Sequence, residues 1–135
     1  MKVCLTSMHH FAAAHRLHND ARAAEWNRRV FDKCNNDHGH GHTYGLEVTV
    51  EGEIDPETGY VMDFKELKRI VEERVVRIVE RRHLNFDVDF LKGINPTAEN
   101  IAVAIWKRLA GSLPGAELKR VTLHETGKNS VVFEG

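Results

Sequence analysis

The sequence predicts an α+β fold in the order β-β-α-α-β-β, with an antiparallel sheet. Three observations carry that prediction. Residues 44–53 alternate apolar and polar side chains, the mark of a half-buried strand. Residues 63–78 and 97–109 repeat apolar side chains at helical spacing. The chain has 135 residues with a hydrophobic fraction of 41%, which suits one packed domain over residues 1–135.

The elements follow in order. Residues Lys2 to His15 alternate loosely through Val3, Leu5, Phe11 and Ala13, and read as a strand bulged or bent near Ser7. Residues 16–37 are polar and rich in Arg, Asn and Asp, and read as irregular. From Tyr44 to Glu53, Leu46, Val48 and Val50 face one way and Glu47, Thr49 and Glu51 the other. Asp55 to Gly59 form a turn. Asp63 is a good N-cap, and Glu66 three residues later completes a capping box. Phe64, Leu67, Val71, Val75 and Ile78 then form an apolar stripe. The second helix starts near Pro96-Thr97, presents Ile101, Ile105 and Leu109, and stops at Gly111 and Pro114-Gly115. Two strands close the chain, Leu118 to Leu123 and Val131 to Glu134, around a turn with Gly127, Lys128 and Asn129. Four strands with both helices on one face leave the face of Glu47, Thr49 and Glu51 wet. Their free edges need partners, so the sequence predicts an oligomer closed into a ring or barrel.

Composition narrows the function. The formal net charge is −1, which argues against a nucleic-acid binder. Two cysteines, Cys4 and Cys34, make no disulfide scaffold and point to a reducing compartment; Cys4 reads as core. The N-terminal stretch lacks the apolar centre of a signal peptide, and the apolar runs are too short to span a bilayer. A cytoplasmic protein with no membrane contact is expected.

Nine histidines is a high count for this length, and seven of them fall between His9 and His42. The run His38-Gly39-His40-Gly41-His42 leads into the strand at Tyr44. Alternate residues of a strand share a face, so either adjacent pair can chelate one ion. His40 and His42 are in register with the strand, whereas His38 lies in the loop. His15 ends the first strand, and an antiparallel partner brings it to the start of the second. Three histidines without a fourth protein ligand describe a catalytic zinc site with an open position. A surface histidine cluster that scavenges metal weakly is the other reading.

Longer motifs then resemble one family. Phe11 to Leu17 is similar to F-x-A-A/S-H-R-L, and Cys34-Asn35-Asn36 with His40 to Tyr44 is similar to C-N-N…H-G-H-N-Y. Gly52 to Pro56, Gly59 to Asp63, Pro96 to Asn100 (P-T-x-E-N) and Glu125-Thr126 continue the likeness in order. Together they resemble the 6-pyruvoyl-tetrahydropterin synthase and 6-carboxytetrahydropterin synthase family. The resemblance implies the tunnelling fold (T-fold), an oligomeric barrel, and a homohexamer of two stacked trimers with sites at subunit interfaces. It implies Zn2+ on His15, His40 and His42. It also implies a pterin substrate, 7,8-dihydroneopterin triphosphate, converted either to 6-pyruvoyl-tetrahydropterin with loss of triphosphate or, in a sister branch, to 6-carboxytetrahydropterin for deazapurine synthesis. Five residues separate Cys34 from His40, the spacing of the pyruvoyl branch; Cys34 to His38 gives the shorter spacing of the other. The Thr43-Tyr44 pair after His42 favours the first.

The same resemblance assigns roles. Cys34 is the base, Glu125 anchors the pterin through paired hydrogen bonds, and Thr97 and Glu99 lie at a helix start where they can bind the ring, although capping explains Thr97 equally well. Arg16, Arg28, Arg29, Lys33 and Lys128 are the cations available to a triphosphate. One departure stands out. Where the family has D-H-x-x-L-N, this chain has Glu80-Arg81-Arg82-His83-Leu84-Asn85. Glu80 can replace aspartate, but Arg81 stays protonated and cannot relay a proton. His83 comes two positions late. Three readings follow: a lyase that tolerates Arg81 or uses His83, a pterin enzyme with another outcome such as retro-aldol cleavage or carboxypterin formation, and a zinc and pterin binding module without catalysis.

Overall fold

A computed structural model describes all residues, 1–135. Strand β1 (Lys2–His15) pairs antiparallel with β2 (His40–Glu53) along its whole length, from Lys2 opposite Glu53 to His15 opposite His40. β2 pairs with β4 (Glu117–His124), and β4 with β5 (Ser130–Phe133). A short β3 (Arg82–His83) runs parallel to β1, so the sheet has five strands in the order β3-β1-β2-β4-β5 and is mixed rather than purely antiparallel. The bulge expected near Ser7 is absent from the β1–β2 ladder; the register shift falls between Thr49 and Val50, against β4.

Helix α1 (Ala24–Phe31) occupies the stretch read as irregular, followed by a 3-10 turn, Asp32–Asn35. Its one buried residue is polar: the Asn27 amide accepts from Asn19 N–H at 2.7 Å and donates to the carbonyls of Asn19, Arg22 and Ala23. A helix held by amide bonds leaves no apolar stripe in the sequence. Helix α2 (Phe64–Val71) is capped by Asp63, which accepts from Lys65 N–H. Glu66 does not close the capping box; it pairs with Arg69 at 2.6 Å. The helix continues through a π turn, Glu72–Val76, into a last α turn, α3 (Arg77–Val79). The wide turn slips the apolar face by one residue. Val71, Val75, Val76 and Val79 are buried, Ile78 is only half-buried, and Phe64 is exposed. Helix α4 (Ala98–Leu109) buries Ile101, Ile105 and Leu109 as its spacing predicts.

One core of 25 buried residues lies between the helices and the inner sheet face, with Tyr44, Leu46, Val48 and Val50 fully buried. The outer face is less wet than its pattern suggests: Thr49 is buried and shares a hydrogen bond with Thr6. Cys4, read as core, is exposed, because even-numbered residues of β1 face outward. No helix is long and apolar enough to cross a membrane.

Candidate metal centre

The centre forms where the β1–β2 ladder ends. His15 is the last rung of β1 and is fully buried. Its Nδ1–H donates to Pro96 O at 2.8 Å, ahead of α4, which leaves Nε2 as a bare acceptor. His40 and His42 project from the facing strand on the inner side. Ring centroids lie 5.2 Å apart for His15–His40, 5.0 Å for His15–His42 and 4.6 Å for His40–His42. Gly39, with φ of +74°, brings the chain so close to β1 that a Cβ there would lie 2.2 Å from His15 O, so no other residue fits.

The Nε2 atoms of His15, His40 and His42 are buried without a hydrogen-bond partner, as is the Tyr44 hydroxyl. A buried acceptor without a partner costs about 1–3 kcal/mol. Three at one spot call for a bound group, and three imidazole nitrogens suit zinc. Burial pushes the His15 and His42 pKa values below the ordinary imidazole range, keeping both rings in the ligand form. Burial and then Glu125 hold the Tyr44 phenol well above its usual range.

Two trios of donor atoms within 4.8 Å of one another share His15: His15 with Cys34 and His40, and His15 with His42 and Glu125. Cys34 comes from the 3-10 turn, which Leu17 N–H fastens to Cys34 O at 2.7 Å. Burial raises the Cys34 pKa, helped by Glu125 and Asp32, so the thiol is protonated at neutral pH. Glu125 Oε1 lies 4.0 Å from His42 Nε2.

The remaining predicted residues lie outside those trios. Thr97 caps α4, accepting from Asn100 N–H at 3.2 Å, and Glu99 is exposed beside it. Glu80 accepts from Ala12 N–H at 3.3 Å. Arg81 has φ of +58° and donates its N–H to Ala12 O at 2.6 Å, with its side chain 89% exposed. Both nitrogens of His83 are engaged with backbone: Nε2–H donates to His38 O at 3.2 Å, and Nδ1 accepts from Asn85 N–H at 3.3 Å. Arg81, His83 and His42 border one shallow groove of about 530 Å³. Of the candidate cations, Arg16, Arg28 and Lys33 line a separate concavity of about 520 Å³ with His18 and Asn35, whereas Arg29 and Lys128 do not border it. Sequence reasoning gave no role to Pro96, Tyr44 or Asn35. All three sit inside the quoted motifs, and that membership is their signal.

Fold and donor set define a T-fold protein with a histidine-rich candidate metal centre beside a thiol and a carboxylate. The 6-pyruvoyl tetrahydropterin synthase family profile matches residues 4–135. A 6-pyruvoyl tetrahydrobiopterin synthase of Poecilia reticulata is 43% identical over 131 residues, 97% of this chain and 89% of that protein. A dihydroneopterin monophosphate aldolase of Pyrococcus furiosus is 48% identical over 96 residues, 70% of this chain and 77% of that protein. The structure of Caenorhabditis elegans 6-pyruvoyl tetrahydropterin synthase superposes with a TM-score of 0.92 at 37% identity, covering 100% of this chain and 96% of that one. The chain belongs to the 6-pyruvoyl tetrahydropterin synthase family, a family of lyases.

Proposed function

We propose that this protein is a zinc-dependent lyase that converts 7,8-dihydroneopterin triphosphate to 6-pyruvoyl-tetrahydropterin and releases triphosphate. The observation that carries the reading is the set of three buried, partnerless Nε2 atoms beside Cys34 and Glu125. His15, His40 and His42 would hold the zinc, which when bound would acidify substrate hydroxyls and the adjoining C–H bonds and favour the Cys34 thiolate. Cys34 takes a proton from a side-chain carbon. Glu125 accepts two parallel N–H bonds from the pterin, which orients that side chain toward Cys34. Thr97 keeps its hydroxyl proton free to donate to the ring while its oxygen caps α4, and Glu99 stands beside it. Arg16, Arg28 and Lys33 bind the triphosphate in the concavity they line, which Asn35, like Lys33 a sequence neighbour of Cys34, also borders. Glu80 and Arg81 border the pterin side chain, where Arg81 supplies a fixed positive charge.

The working form in this reading is a homohexamer of two trimers, with the sheet edges closed into a barrel, in the cytoplasm. Its partner is the pterin alone, without nucleic acid or membrane. Incubation with 7,8-dihydroneopterin triphosphate and zinc, followed by mass spectrometry, tests the reading. It predicts 6-pyruvoyl-tetrahydropterin and inorganic triphosphate; zinc uptake without any product would reduce the protein to a binding module.

A second reading is retro-aldol cleavage of the same side chain, giving a shortened pterin. Two observations favour it: Arg81 occupies the place of a proton-relaying histidine, and the Pyrococcus furiosus relative shares 48% identity. The same mass spectrum separates the two, because cleavage removes side-chain carbons and elimination keeps them.

A further inference from the structure

The β1–β2 ladder stops at His15 opposite His40, so the backbone just beyond both metal-site histidines has no sheet partner. The segment after α3 supplies one on each side. Asn85 receives Arg16 N–H on Oδ1 at 2.8 Å and donates Nδ2–H to Arg16 O at 2.7 Å, satisfying both polar groups of the residue that follows His15. His83 donates Nε2–H to His38 O at 3.2 Å, just before Gly39 and His40. Asn85 N–H on Nδ1 fixes the His83 proton on Nε2, and the Phe86 ring, 4.6 Å away, sets the tilt of the imidazole. The segment itself is anchored to β1 by Arg81 N–H on Ala12 O and Leu84 N–H on Ala14 O, at 2.6 and 2.7 Å.

We infer that His83 and Asn85 form a clip across the open end of the ladder and are positioning residues for the metal centre. Each holds backbone rather than ligand: Asn85 the strand that ends in His15, His83 the loop that delivers His40. With the clip gone, His15 keeps its Pro96 bond but the spacing of the two strands is no longer fixed, and the Nε2 atoms lose their common focus. The inference rests on the zinc reading above. It gives His83 a place in the site that is neither acid nor base.

Zinc affinity, measured by competition with a chromophoric chelator, tests the clip. Removing a group that orients metal ligands typically weakens affinity 10–100-fold. His83→Ala and Asn85→Ala are each expected to weaken zinc about tenfold, and His83→Gln, whose amide nitrogen replaces Nε2–H, to restore most of the loss. Wild-type affinity in both alanine variants, or no rescue by glutamine, would overturn the inference. Should Asn85→Ala not fold, the two His83 variants decide alone. Amide exchange of the metal-free proteins is the second readout, with faster exchange expected at Gly39 in His83→Ala and at Arg16 in Asn85→Ala. If the wild type takes up no zinc, the metal reading fails and exchange alone judges the clip; unchanged exchange at both amides would then reject it.

Discussion

His9 and His15 lie on the same inward face of β1, and both are buried, at 6% and 0% exposure. His9 has a partner on each ring nitrogen: Nδ1–H donates to Glu72 at 3.0 Å, and the Ser7 hydroxyl meets Nε2 at 2.9 Å. His15 has one partner, Pro96 O, and turns a bare Nε2 toward two more histidines in the same condition. Burial and residue type are shared; hydrogen-bond satisfaction is not. A Ser-His-Glu arrangement looks like a catalytic triad, yet Ser7 is only 2% exposed and no substrate reaches it. The satisfied histidine ties β1 to the π turn at Glu72. The unsatisfied one has capacity left for a ligand.

Exchanging the two histidines breaks the comparison most directly. His15→Ala should weaken zinc by more than about 100-fold, beyond the usual loss for an orienting residue, and should abolish turnover. His9→Leu should keep zinc and lose about 1–3 kcal/mol in urea unfolding, the cost of leaving a buried partner unsatisfied. Loss of zinc from His9→Leu would mean that the two sites are coupled.

Cys34→Ala should lower kcat about 10²–10⁴-fold, the range for a general base, while zinc and pterin affinity stay at wild-type values. Full activity would move the base to Glu80 or to a zinc-bound hydroxide. Arg81→His should raise lyase kcat by up to about 10²-fold and bring in a pH dependence near neutrality, since an imidazole exchanges protons there and guanidinium does not. Histidine also accepts the positive φ at this position better than most residues. An unchanged or lower kcat would make arginine a working part of a different reaction and favour retro-aldol cleavage.

A smaller effect belongs to the metal-free protein. Burial depresses the His15 and His42 pKa values below about 6.5, the unfolded value. Below that pH the unfolded chain binds more protons than the folded one, so stability is fully present above about pH 6.5 and is lost as pH falls through the folded values. The thermal midpoint of the zinc-free protein should decline accordingly, and His15→Ala should flatten the decline. An equally steep decline in that variant would assign the effect to other groups.

Much of this was legible in the sequence where side-chain pattern and backbone agree. β2 announces itself through Leu46, Val48 and Val50, and α4 through Ile101, Ile105 and Leu109, because in each the buried residues keep a fixed period. The pattern fails where burial is polar or the period slips. α1 is held by the Asn27 amide, and the π turn replaces Ile78 with Val79 in the core. β3 is too short to carry any period. The site divides in the same way. His15, His40, His42, Cys34 and Glu125, named from motifs, do converge. The residue type of His83 suggests a stand-in acid or base as one reading; the backbone groups it holds are invisible in a one-dimensional string. Pro96 is legible as a helix start and motif residue, but its bond to His15 is not, since its carbonyl acts and its side chain does not.

The central claim is that three unsatisfied imidazoles form a metal centre that excludes the histidine next in the run. Metal analysis of the purified protein and its His38, His40 and His42 alanine variants tests it directly. The account predicts about one zinc per chain in the wild type, as an open three-histidine site requires, with full retention in His38→Ala and loss in His40→Ala and His42→Ala. A His38→Ala protein without zinc, or a His40→Ala protein that keeps it, would contradict the account.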